Sequence, residues 1–140
     1  MDVNTEVNEL LRDVTVMTLQ ERLFKLPAMI AAKQLTALNN ADLLERNTLL
    51  ITALESEAYL SVESELSIDG KKLYSNEEKR RIETRKRLNE NKAFAETENV
   101  KKSLERNKAR LEIETALLSR MFRAAEALTS LDGEGMNREQ

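Results

Sequence analysis

Ser67-Ile68-Asp69-Gly70-Lys71-Lys72-Leu73-Tyr74-Ser75-Asn76 is the stretch on which the reading of this 140-residue chain turns. Asp-Gly supplies a turn, because Gly70 takes positive φ at little cost. Ser75 stands three residues before Glu78, the spacing of a capping box in which the Ser hydroxyl accepts from the Glu78 N–H and the Glu side chain reaches back to Ser75. A helix therefore starts at 76, and the chain before residue 67 is expected to fold back along it.

Working outward towards the N-terminus, Ile30, Leu38, Ala41, Leu44, Ile51, Leu54, Ala58, Val62 and Leu66 keep an apolar stripe at helical spacing, with Asn39-Asn40 as its weak spot. A helix of that length, about 60 Å at 1.5 Å per residue, needs a second long helix to cover its stripe. Pro27 disfavours helical geometry at Leu26, which puts a boundary near 25–27. Before it, Val7, Leu10, Leu11, Val14, Met17 and Phe24 describe an amphipathic first helix.

On the other side, a helix is expected from Asn76 to about Leu131, stopped by Asp132-Gly133. Within it Thr97, Leu104, Leu111, Leu118 and Ala125 fall seven apart, as do Val100, Asn107, Glu114, Met121 and Leu128. That is a heptad pattern. Asn107 and Glu114 are either seam residues that fix register or members of a broader bundle face. The fold class is thus all-α: a long antiparallel helical hairpin of about 27–66 and 76–131, coiled-coil-like, in one domain with an N-terminal helix in 1–26 and a flexible tail in 132–140.

Composition agrees with helices and restricts chemistry. Charged residues make up 34% and hydrophobic ones 41%, against 3 Gly and 1 Pro, which starves a sheet-rich fold of turns. There is no Cys and no His, so disulfides, thiol nucleophiles, imidazole bases and nitrogen or sulfur metal sites are excluded. The acidic residues are scattered among basic ones. No enzyme activity, catalytic residue, metal, cofactor or small-molecule substrate is expected. Asp2, Glu6, Glu9 and Asp13 oppose a secretory signal, and no run of about 18 apolar residues exists to span a membrane, so a cytoplasmic protein is expected.

Charge is distributed in blocks. Residues 1–70 hold 5 Lys/Arg against 12 Asp/Glu, residues 71–110 hold 14 against 7, and residues 111–140 hold 3 against 6. Antiparallel packing across the turn, with facing numbers summing to about 142, sets Lys79 beside Glu63 and Glu65, Arg85 to Arg87 beside Glu55 and Glu57, Glu96 beside Arg46, and Leu88 against Leu54. Such exposed pairs contribute about 0–1 kcal/mol each and mainly guide register. The basic helix still carries more cations than its neighbour can pair. Consecutive Arg85, Lys86 and Arg87 point about 100° apart, so some face solvent or a partner. A cationic bend of Lys71, Lys72, Lys79, Arg80, Arg81, Arg85 and Arg87 with Tyr74 in its loop suits single-stranded DNA, cations following phosphates and an aromatic face stacking on a base. Tyr74 as an apolar plug and Phe94 as a core side chain is the other reading.

The segment Asp69-Gly70-Lys71-Lys72-Leu73-Tyr74-Ser75-Asn76, followed by Glu77-Glu78-Lys79-Arg80-Arg81, resembles small helical proteins from phage and prophage replication or recombination regions over about residues 40–131. More remotely, size and helical layout are similar to the UvsY-type recombination mediators of T4-like phages. That resemblance implies an oligomeric accessory protein, in the host cytoplasm, that binds single-stranded DNA and helps load a recombinase. The competing expectation is a helical adaptor or inhibitor that grips a protein partner through Leu10, Leu11, Val14 and Met17, with no nucleic-acid role. Long apolar stripes make a homo-oligomer the expectation in either case.

Overall fold

The computed structural model describes residues 2–139, and the side chains of residues 2–131. The fold is all-α: α1 (Val3–Thr15), α2 (Leu19–Ser64), α3 (Glu77–Glu90) and α4 (Lys92–Glu139), with α2 turning back into α3 through the loop read as the hairpin bend. Two compact units share these helices. Unit 1 comprises residues 1–41 and 106–140, and unit 2 residues 42–105.

Four helix boundaries differ from the sequence reading, each for a local reason. The first break falls at residues 16–18, and Pro27 sits inside α2. Thr18-x-x-Glu21 has the spacing of a capping box and makes its first half: the Glu21 N–H donates to Thr18 Oγ1 at 3.1 Å, while the Thr18 hydroxyl donates to Glu21 Oε1 at 3.4 Å. Arg22 Nη2 also donates to the Thr15 carbonyl at 3.3 Å, closing the end of α1. Pro27 denies the Leu23 carbonyl its helical donor, yet Leu26 beside it is completely buried, so packing holds the helix through the proline.

At the second boundary, Asn76 rather than Ser75 caps α3, its side-chain oxygen accepting from the Lys79 N–H at 2.8 Å. Asn is as good an N-cap as Ser, and the helix starts one residue later. The expected single third helix is also divided at Asn91, which is extended. Its side-chain oxygen accepts from the N–H groups of Ala93 (2.9 Å) and Phe94 (3.3 Å), starting α4, while its own N–H donates to Leu88 O. At its far end α4 continues to Glu139, past the stop read at Asp132-Gly133, because glycine lowers helix propensity by about 1 kcal/mol without a steric block. The side chains of the expected tail, and Gln140, lie outside the described residues.

In unit 1, Val14, Leu26 and Leu118 form the core, with Leu10, Met17, Met29, Ile30, Met121 and Phe122 packed against it. The inward positions of α2 are Leu26, Ile30, Lys33, Ala37 and Asn40, in alternating steps of four and three; those of α4 are Leu111, Glu114, Leu118, Met121 and Ala125. This is heptad packing with a charged layer. Glu114, only 2% exposed, pairs with Lys33 of α2 and with Arg110 Nη1 at 2.9 Å, and Arg110 Nε lies 2.5 Å from Glu6 Oε2 of α1. One chain of alternating charge therefore joins three helices.

The first heptad series, Thr97 to Ala125, is buried or half-buried throughout. The second is inward at Asn107, Glu114 and Met121 and exposed at Val100 and Leu128. A straight helix drifts about 20° per heptad, which turns the two ends of that series outward.

Unit 2 is built around Ile51, Leu88 and Phe94, with Leu54 and Ala58 against them. Its buried polar groups are uncharged: Asn47 Nδ2 donates to the Thr97 carbonyl at 3.2 Å, and Thr84 and Thr97 return their hydroxyls to Arg80 O and Ala93 O. The bend is a miniature antiparallel ladder. Leu66 bridges Lys72, the Ser67 N–H donates to Lys71 O at 2.7 Å, and the Leu73 N–H donates to Glu65 O at 2.9 Å. Inside it the Gly70 N–H donates to Ser67 O, and Gly70 has φ 81°, the three-residue turn whose last residue needs a left-handed backbone.

Candidate nucleic-acid interface

The cations of unit 2 divide into an inner and an outer set. Helix α3 turns Arg80, Thr84, Arg87 and Leu88 inward, all buried or half-buried. Arg80 donates from Nε to the Tyr59 hydroxyl and from Nη1 to the Tyr74 carbonyl, both at 3.3 Å. Arg87 pairs with Glu65 and, through Nε at 3.0 Å, with Glu83. Hydrogen bonds that the Arg87 guanidinium donates to these two carboxylates, Glu65 first, push it further towards its charged form. Its guanidinium carbon also lies 5.9 Å from the centre of the Tyr74 ring, a cation–π distance. Arg80 and Arg87 thus fasten the loop to α2 and α3.

Tyr74 is half-buried under this arginine and plugs the hairpin end, and Phe94 is 5% exposed in the core. The arginine thus takes one face of Tyr74, and Phe94 is packed among core side chains. The expected pairings shift accordingly. Glu65 goes to Arg87 rather than Lys79, and Lys72 approaches Glu63 at 3.9 Å, because the ladder folds the loop back over the end of α2. Among the described residues Arg85 forms no ion pair with Glu55 or Glu57, and Glu96 none with Arg46.

The outer set is Lys71, Lys72, Lys79, Arg81, Arg85 and Lys86, all exposed. Arg81 shares a solvent-side ion pair with Glu77 at 2.7 Å. Lys71, Lys79, Arg85 and Lys86 form no ion pair among the described residues. Lys79, Ile82 and Lys86 follow one another at three and four residues on the outward face of α3, with Ile82 64% exposed between the two lysines. Lys86 and Ile82 were not among the candidate contacts; the seven-residue step from Lys79 to Lys86 is the pattern that points to them. In the loop, Asp69 accepts from the Ser67 hydroxyl and from the Lys71 N–H, which holds its carboxyl below the usual aspartate range.

Beside the outer set a groove of about 620 Å³ opens between α2 and α3, lined among others by Glu55, Tyr59, Leu60, Arg81, Arg85 and Leu88.

The candidate protein-binding face on α1 is spent differently. Val14 is completely buried, and Leu10 and Met17 pack on the same cluster; Leu11 is at the margin of exposure. These residues hold α1 in unit 1 and leave little surface to grip a partner. A different apolar row is open in unit 1: Phe24 (83% exposed), Ala28, Ala31, Leu35 and Leu38 repeat at four- and three-residue steps on α2.

Among the described residues no group of three acidic side chains is placed to hold a metal ion, and no helix is long and apolar enough to cross a membrane. Compared with known proteins, the chain matches no family model, no curated protein sequence and no solved structure.

Proposed function

We propose that this protein is a non-enzymatic helical accessory factor that binds single-stranded nucleic acid through the outer cations of the hairpin bend and α3, in the manner of small phage recombination proteins. The observation that carries the reading is the exposed, unpaired set Lys71, Lys79, Arg85 and Lys86. Exposed cations release counterions when they meet phosphates, so affinity falls steeply with salt. Unit 2 as a whole is acidic, with 12 Lys/Arg against 14 Asp/Glu, so the reading depends on the placement of charge and calls for modest affinity. Arg80 and Arg87 act in it as supports for the loop.

The test is a titration of a fluorescent single-stranded oligonucleotide with the full chain at rising salt. Binding at about 50 mM salt that weakens at least tenfold by about 200 mM is expected. Charge reversal at Lys79 and Lys86 together removes it. Absence of binding at the lowest salt ends the reading.

A second reading, self-association or capture of a protein partner such as a recombinase, is favoured by the open row from Phe24 to Leu38. Such a row at heptad spacing is what a further helix packs against. Molar mass by light scattering above the 16.0 kDa of one chain, reduced to it by Leu35→Asp with Leu38→Asp, is the expected result for self-association. A single-chain mass at every concentration argues against it.

A further inference from the structure

We infer that the groove between α2 and α3 in unit 2 receives one unpaired base of the bound strand, with a preference for bases that carry an exocyclic amine. This rests on the reading above and assigns it a specific pocket.

The groove combines three chemistries that an unpaired nucleotide needs. Its floor is apolar: Leu88 is almost fully buried, while Leu60 is 61% exposed and has no core to fill. Tyr59 stands beside them with its hydroxyl engaged by Arg80, which fixes its ring and leaves its carbon body to the groove. A flat heterocycle gains from covering such a surface in the way bases cover aromatic and apolar platforms in single-strand binders. On the α3 rim, Arg81 and Arg85 are placed to meet the flanking phosphates, and Arg85 forms no ion pair among the described residues. On the α2 rim, Glu55 also forms none, and its carboxylate is a pure acceptor. An acceptor in this position matches the amino groups of cytosine, adenine and guanine, which project beyond the ring edge with two N–H donors, the pairing by which Glu reads cytosine N4; an unpaired thymine offers only its single ring N3–H. The signs of charge fit one another: cations towards the phosphates, an anion towards the amine.

The same wall explains why the polar lining is split. A groove for an acidic peptide would have no use for Glu55, and a groove for a helix face would have no use for two arginines on one rim.

The experiment compares, on the full chain at fixed low salt, a single strand of cytosines, one of thymines, and an abasic phosphodiester of equal length. The cytosine strand is expected to bind about tenfold more tightly than the abasic one, within the range for one stacked base, and several-fold more tightly than thymine. Ser56→Trp, which fills the groove from an exposed position on its wall, brings cytosine down to the abasic level and leaves abasic binding unchanged. Glu55→Ala, which removes the acceptor, abolishes the cytosine-over-thymine preference and serves where the tryptophan variant does not fold. Equal binding of all three strands by the unaltered protein overturns the pocket while leaving phosphate binding intact. A cytosine advantage that survives both variants places the base elsewhere and also overturns it. Failure of every strand to bind overturns the pocket together with the function it rests on.

Discussion

Units 1 and 2 are made from overlapping helices and each buries an amide, Asn40 in the first and Asn47 in the second, but only unit 1 also buries a charge. Unit 1 draws a carboxylate into its seam and surrounds it with Lys33 and Arg110, with Glu6 completing the chain. Unit 2 admits only an amide and two hydroxyls, Asn47, Thr84 and Thr97, and leaves its much larger stock of charge on the rim. A buried charge demands partners at fixed places, since removing one leaves another uncompensated, whereas a buried amide or hydroxyl is satisfied by the nearest carbonyl. Unit 1 therefore adds a buried charge cluster to its apolar centre, whereas unit 2 relies on packing and neutral polar groups at its centre and keeps its charge outside.

The largest expected effect tests what the two centres share. Leu118→Ala in unit 1 and Leu88→Ala in unit 2 should each cost about 3–5 kcal/mol in urea denaturation, because both side chains are essentially fully buried. A cost below about 1 kcal/mol for either shows that its cluster is not a core.

The contrast appears in the next pair. Glu114→Ala should cost about 3 kcal/mol, somewhat less if Arg110 remains with Glu6, while the double replacement Lys33→Leu with Glu114→Leu recovers most of that loss. Asn47→Ala should cost about 1–2 kcal/mol. Equal losses at Glu114 and Asn47 erase the distinction drawn between the units.

Arg87→Ala comes below these, at most about 1 kcal/mol, since its ion pairs are partly solvated. Its expected signature is local: Tyr74 fluorescence becomes accessible to quencher while the thermal midpoint barely moves. An unchanged quenching constant removes Arg87 as the fastener of the loop.

The smallest effect is the pH response of the bend. The Asp69 carboxyl titrates below the ordinary aspartate value because the Ser67 hydroxyl and the Lys71 N–H favour its charged form. A depressed folded pKa supports the bend above the unfolded value, about 3.9, and that support is lost as pH falls through the folded pKa. The Lys71 amide resonance should follow this titration with a midpoint below 3.9, and Asp69→Asn should flatten it. A midpoint at or above the ordinary value contradicts the hydrogen-bonded loop.

The hairpin and its heptads were legible because they rest on features that act through the backbone: Gly70 in a left-handed turn, and apolar residues recurring along two long helices. The first break was legible as well, in Thr18-x-x-Glu21, but Pro27 is the louder marker and drew the boundary to itself. A lone proline is tolerated when the residue beside it is buried, and sequence does not show that burial. Asn91 was harder, since Asn caps a helix well and is also accepted inside one. The candidate interface was legible as a charge excess and not as a surface. Long Arg and Lys side chains choose among carboxylates within several ångströms, so a loop that folds back by a few residues sends Arg87 to Glu65 and frees Arg85 and Lys79. Burial of Val14 likewise depends on a third helix that α1's own periodicity does not identify.

The division of the chain into units also governs the order in which they can form. Unit 2 is one uninterrupted stretch, residues 42–105, whereas unit 1 joins residues 1–41 to residues 106–140. Lys33 must find Glu114 across an intervening hairpin, a closure that is entropically dearer than any contact around Gly70. Because synthesis runs from the N-terminus, residues 42–105 are all made before residues 106–140, so the unit that carries these cations can fold before the other of the two.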